Sequence, residues 1–169
     1  MENSKKQLYI LIGVPGSGKS TWAEKHLSSF EGKTSYISRD AIRFLLVKEN
    51  EPYFSHEKEV YNEFIRQIKS DLETCDVVIA DATHITKGSR RKLFISLGDS
   101  LKDVEIIAMV IKTDLNTILK QNAQRKGRSC VPEEDIRKYY NVFRMPELEE
   151  GFDEIWIYEG YKYTIIEKE

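Results

Sequence analysis

The sequence is poor in the residues that build extracellular, fibrous or membrane proteins. Its two cysteines, Cys75 and Cys130, are too few for a disulfide framework. Nine glycines and four prolines in 169 residues exclude collagen-like and low-complexity chains. Apolar runs such as Leu8–Ile12 stop far short of the roughly 18 residues that a membrane span needs. The opening MENSKKQ carries no apolar stretch of signal-peptide type. A dominant sign of charge is missing too, since 26 Lys+Arg face 28 Asp+Glu for a net charge of -2. With 40% hydrophobic residues the chain can build a core. These absences predict one reduced, soluble, cytoplasmic domain over residues 1–169.

Apolar runs alternate with amphipathic stretches along the chain. Gln7–Ile12, Thr34–Ser38, Asp76–Asp81 and Val104–Ile111 read as strands, the last apolar except for Glu105. Helical patterns cover Lys19 to about Ser29, Asp40–Leu46, Ser55–Glu73 and Ser89–Leu97. In the third of these, Val60, Phe64, Ile68 and Leu72 recur every four residues on one face. Asp114 is placed to cap a helix running towards Arg125, and Pro132 to open another. Glu154–Tyr158 and Tyr161–Ile166 flank Glu159-Gly160 as a hairpin. Strands alternating with helices predict an α/β fold with a central parallel sheet covered on both faces.

The near-zero net charge hides a segregation. Residues 82–132 carry ten Lys+Arg against four Asp+Glu, whereas 133–169 carry five against eleven. A basic stretch on a near-neutral chain suits a phosphate-bearing ligand better than wide non-specific duplex binding. Ordinary unevenness of a solvated surface gives the same count.

Between the first strand and helix, Gly13-Val14-Pro15-Gly16-Ser17-Gly18-Lys19-Ser20 fits the Walker A pattern G-x-x-x-x-G-K-[ST] in full. Glycines let the backbone curl so that successive N–H groups face phosphate oxygens, with the positive end of a helix behind them. Lys19 reaches the β- and γ-phosphates, and the Ser20 hydroxyl ligates Mg²⁺. The expected phosphate-binding set is Gly13, Pro15, Gly16, Ser17, Gly18, Lys19, Ser20 and Thr21. A GTPase would add D-x-x-G and N-K-x-D. Here Ala82, Thr83 and His84 follow Asp81, and Ile111 stands where guanine needs a polar partner.

Ser38-Arg39-Asp40-Ala41-Ile42-Arg43 begins where the second strand ends, beside the phosphate loop in a parallel sheet. Asp40 is placed to take the proton of an attacking hydroxyl. Arg43 lies three positions on, on the same helical face, and suits charge on the transferring phosphoryl group. Asp is also a favoured helix cap, so spacing alone leaves both roles open. Asp81, closing the third strand, approaches Ser20 and the metal. His84, a lone His in a loop, is a weak candidate. Arg125 and Arg128 sit between two helices on a stretch that fits a mobile lid, with Arg125 the first choice for the nucleotide's phosphates. Tyr53 and Phe54 either stack on a terminal base or pack locally.

GVPGSGKSTWA, SRDAIR, VVIADAT with Arg90-Arg91 downstream, and NAQRKGRSCVPEEDI together resemble the 5′-hydroxyl polynucleotide kinase family of P-loop phosphotransferases. The blocks span roughly residues 7–145. The Walker A block is generic, while R-D-x-x-R and the lid block are more specific. The resemblance implies a single kinase-type P-loop domain with a parallel sheet, an arginine-bearing lid and a C-terminal hairpin. It implies ATP and Mg²⁺ as cofactors, with Lys19, Ser20 and Asp81 at the phosphates and metal. Asp40 would be the general base, Arg43 a phosphoryl or substrate-phosphate contact, and Arg125, with Arg128, the lid. The acceptor it implies is the 5′-hydroxyl end of DNA or RNA, with no membrane partner. Related P-loop kinases phosphorylate small molecules or nucleosides, which is the alternative. The chain departs from the family at His84, where Asn is common, and no 3′-phosphatase domain is expected.

Overall fold

The computed structural model describes residues 4–169. Strands β1 (Lys6–Ile12), β2 (Thr34–Ser38), β3 (Val77–Asp81), β4 (Val104–Ile111), β5 (Glu154–Glu159) and β6 (Lys162–Glu167) form one sheet. Helices α1 (Lys19–His26), α2 (Arg39–Leu46), α3 (Glu57–Thr74), α4 (Lys87–Leu97), α5 (Leu115–Ala123) and α6 (Glu133–Val142) connect them. The strand order is β2-β3-β1-β4-β5-β6. The first five strands run parallel, and β6 closes the sheet as the antiparallel arm of the expected hairpin.

Alternation along β1 explains the layers. Leu8, Ile10 and Ile12 point to one face, where Val60, Phe64 and Ile68 of α3 cover them. Tyr9 and Leu11 point to the other, against Trp22 and Ala23 of α1. A strand apolar on both faces is what a buried parallel sheet requires. A small cluster of Val14, Ile85, Ile118 and Ile136 ties the phosphate loop to α5 and α6.

Boundaries shift where caps decide. The helix expected from Ser89 starts at Lys87, because Thr86 caps it and forms a reciprocal capping pair with Ser89. Pro132 is the cap of α6 and not its first turn; its carbonyl accepts from Asp135 and Ile136. Arg90 has no exposed surface. Its guanidinium donates to Glu150 and to the carbonyls of His84 and Arg144, joining three separate segments.

The register sets the site. Leu11 and Ser38 both pair with Asp81. The phosphate loop, the start of α2 and the end of β3 therefore leave the sheet at one level on its carboxyl rim.

Candidate active site

The loop after β1 curls into a nest through two left-handed glycines. Gly16 and Gly18 have φ of 86° and 102°, a region that L side chains rarely adopt. A Cβ on Gly13 would stand 2.5 Å from Ser17 Oγ. Neighbouring strands brace the loop from both sides. Gly13 N donates to Thr83 O (3.0 Å), and Thr113 Oγ1 donates to Ser17 O (2.8 Å).

Lys19 is buried, and among the described residues its ammonium donates only to Val14 O, at 3.3 Å. Burial lowers its pKa, with Asp81 and Asp40 acting in the opposite sense. Ser20 Oγ donates to Asp81 Oδ2 at 3.0 Å, and the Tyr36 hydroxyl donates to the same oxygen. Burial, then the carboxylate beside it, raises the Tyr36 pKa, so this donor keeps its proton. The hydroxyl and carboxylate oxygens are the hard ligands Mg²⁺ takes. Among the described residues no group of three or more His, Cys, Asp or Glu could hold a metal. That donor set fits an ion held by one or two protein oxygens plus substrate phosphates.

A cleft of about 230 Å³ joins this nest to the start of α2 and is lined by Lys19, Asp40, Arg43, Asp81 and Arg125. Asp40 accepts from Arg43 and from the Tyr53 hydroxyl, both on Oδ1. Among the described residues no donor meets Oδ2, and the side chain is 59% exposed. Ser38, not Asp40, caps α2 through Ala41 N.

Arg43 is held more tightly than its sequence position suggests. Its Nε and Nη2 donate to the two oxygens of Glu57, at 2.6 and 2.9 Å. Tyr53 and Phe54 cover the guanidinium at 5.0 and 5.1 Å from their ring centres. Burial alone would lower the Arg43 pKa; the bonds to Glu57 and Tyr53 outweigh it and raise it. The two aromatics line the cleft yet are spent largely on Arg43 and on each other, at 4.8 Å.

Of the two lid arginines, only Arg125 lines the cleft, with Nη1 donating to Ser129 O at 3.2 Å. Arg128 lies across the lid instead. It donates to the carbonyls of Val47 and Lys48 and covers Phe44 at 5.0 Å. Its guanidinium joins the loop after α5 to the end of α2. His84 is buried with φ 47° and bonds Leu11 O through Nδ1. It lies outside the cleft as a structural residue.

Sequence reasoning missed two parts. Glu57 is one, since nothing local links it to Arg43, 14 residues earlier. The other is a second cleft of about 730 Å³ on the far side of the nest, walled by Trp22, His26, Gln121, Tyr158 and Tyr161. Gly16, Gly18, Thr21 and Arg125 line both clefts.

The AAA domain family matches residues 8–146 of this chain. The chain belongs to that family of P-loop proteins. This AAA domain superposes on a chain of the Pnkp1/Rnl/Hen1 RNA repair complex with a TM-score of 0.69 and 21% identity, covering 83% of the present chain. The present chain spans only 44% of that one. It is also similar to Kti12 of Chaetomium thermophilum, solved with ADP-AlF3, at TM-score 0.66 and 16% identity over 89% of this chain and 87% of that one. A gluconokinase from Sinorhizobium meliloti 1021 matches at TM-score 0.54 and 16% identity, over 85% and 77%. Each likeness is one of fold. The domain has the P-loop kinase fold, and the family implies nucleotide binding. No helix among the described residues is long and apolar enough to cross a membrane.

Proposed function

We propose that this domain moves the γ-phosphate of ATP, with Mg²⁺, to the 5′-hydroxyl end of a polynucleotide. The observation that carries the reading is the position of Asp40. Asp40 lines the cleft that also holds Lys19, the Ser20–Asp81 pair and the clamped Arg43.

The acceptor hydroxyl gives its proton to Asp40 as its oxygen bonds the γ-phosphorus. The bond from that phosphorus to the bridging oxygen breaks, and ADP leaves. Lys19 and the loop N–H groups hold the phosphates, Ser20 and Asp81 hold the ion, and Arg43 and Arg125 meet the charge that spreads over the transferring group. When bound, Mg²⁺ neutralises phosphate charge. The second cleft, with its aromatic walls beside the nest, is the place for the nucleoside of ATP. The four motif blocks and the likeness to an RNA-repair chain support the polynucleotide acceptor.

The likeness to a gluconokinase over 77% of that chain favours, as a second reading, a small hydroxyl compound as acceptor. Transfer of labelled γ-phosphate to 5′-hydroxyl oligonucleotides, run beside gluconate and nucleosides, separates the two. Label on oligonucleotides, absent with Asp40→Ala, is the expected result. Label only on small compounds would sink the polynucleotide reading.

A further inference from the structure

The wall of the cleft at Arg39 continues onto the outer surface through one aromatic ring. Arg39 lines the cleft beside Asp40 and Arg43. One of its nitrogens, Nη2, donates to Glu57 at 3.2 Å, while Nε is buried and has no partner among the described residues. The guanidinium carbon lies 5.4 Å from the centre of the Tyr61 ring on α3. The ammonium of Lys92 on α4 lies 4.2 Å from the same ring. The Tyr61 hydroxyl bonds Ser96, one turn after Lys92, so this ring bridges the two helices. Lys58 sits on α3 one turn before Tyr61, on the same side. Lys58 and Lys92 are exposed and make no ion pair among the described residues.

Cations held on an aromatic ring have fewer accessible positions than free surface lysines, and here no carboxylate neutralises Lys92. The Arg39 guanidinium at the cleft wall, its side chain 28% exposed, followed by an ammonium on the same ring, makes a ladder of positive charge that starts at the reacting end. Phosphates spaced along a nucleic-acid strand are the ligand that such a ladder matches, whereas a small neutral acceptor would never reach it.

We infer that Arg39, Tyr61 and Lys92 form a phosphodiester subsite that takes the acceptor strand's backbone as it leaves the cleft over α3 and α4. This rests on the polynucleotide reading above. It assigns the binding of nucleotides beyond the first to residues that take no part in the phosphoryl transfer itself, Lys92 foremost.

The test compares a 5′-hydroxyl dinucleotide with a dodecanucleotide as acceptors for wild type, Lys92→Gln and Lys92→Glu. In wild type the longer acceptor should have the lower KM. Lys92→Glu should raise the dodecanucleotide KM about tenfold and make its salt dependence shallower by about one phosphate contact, with Lys92→Gln intermediate. The dinucleotide KM, the ATP KM and kcat should stay within about twofold, as expected where only backbone contacts are lost. Lys92→Gln, which removes the charge with little change in size, carries the test should Lys92→Glu fail to fold, as judged by thermal unfolding. Equal KM for both lengths in wild type, or an equal rise for both in the variants, would overturn the subsite while leaving the kinase reading intact. A wild type that labels no oligonucleotide but does label a small hydroxyl compound would remove the polynucleotide reading, and the subsite with it.

Discussion

Glu57 grips Arg43 with both carboxylate oxygens, at 2.6 and 2.9 Å, from a helix that begins 14 residues further along the chain. One of those oxygens also takes Arg39 at 3.2 Å. A fork held at two points cannot rotate, so Arg43 keeps its outer nitrogen, Nη1, turned to Asp40. Glu57→Gln should loosen that aim. The expected result is an acceptor KM raised about tenfold, matching the 1.5–3 kcal/mol of a charged hydrogen bond less solvent screening, with ATP binding little changed. Equal losses for ATP and acceptor would make Glu57 a folding residue only.

Asp40→Asn keeps the shape and removes the carboxylate proposed as proton acceptor. Single-turnover transfer should fall by about 10²–10⁴, the range for a lost general base. ATP binding, followed by fluorescence or calorimetry, should stay within about twofold, since the phosphates rest on the loop and Lys19. Loss of ATP affinity in step with rate would assign Asp40 to structure.

The glycines of the nest should differ in their tolerance of alanine. Gly18→Ala meets open space and bears only the strain of φ 102°, about 1–2 kcal/mol. Gly16→Ala adds a contact of 3.1 Å to Ile118 O at φ 86° and should cost more. Thermal unfolding without nucleotide ranks them, at about 2–4 °C per kcal/mol for a chain of this size. The reverse order would refute the packing argument.

His84 should give the fold an acid limb. Burial is the first cause that pushes its pKa down, from 6.5 to about 4, so the folded chain holds it neutral. The unfolded chain takes up the proton first as pH falls through 6.5, and folding stability drops from there towards 4. His84→Asn keeps a residue that tolerates φ 47° and removes the titration. Its stability should be flatter than wild type across that window in denaturant titrations. Identical pH profiles would show that His84 does not titrate there.

Arg90 and Glu150 form a buried pair at 2.7 Å, with the arginine side chain fully enclosed. Glu150→Gln strands a charge in the interior and should cost about 3–5 kcal/mol, as breaking a buried pair does. Arg90→Met with Glu150→Leu should recover much of it. Chemical denaturation of the three forms is the check; a cost under about 1 kcal/mol for Glu150→Gln would place the pair in the class of solvated bridges.

Most of the sheet and the whole phosphate loop were legible in the sequence, because both are written locally. The strands Thr34–Ser38 and Val104–Ile111 lie where alternation and apolar runs place them. The loop's spelling follows from its backbone. What escaped depends on adjacency between distant segments. Glu57 meets Arg43 only once α2 and α3 pack together. The second cleft needs the hairpin tip to fold back beside α1, where Trp22 Nε1 donates to the Tyr163 hydroxyl at 2.8 Å. Arg128, read with Arg125 as a lid arginine for phosphates, is turned to Val47 and Lys48 by a loop whose course no residue pattern encodes. Arg90, read with Arg91 only as part of a motif block, is the side chain enclosed by three segments.

The phosphate loop is stitched at Gly13 to the segment after β3 and at Ser17 to the segment after β4. Its curl therefore does not wait for a ligand. In amide hydrogen exchange the loop should already be slow in the empty protein, while the stretch from Arg125 to Val131 exchanges quickly and slows only with nucleotide. Encounter then needs no folding of the cradle. Nucleotide capture should then run as fast as diffusion and charge allow, so that differences in affinity between nucleotides would show in their residence times.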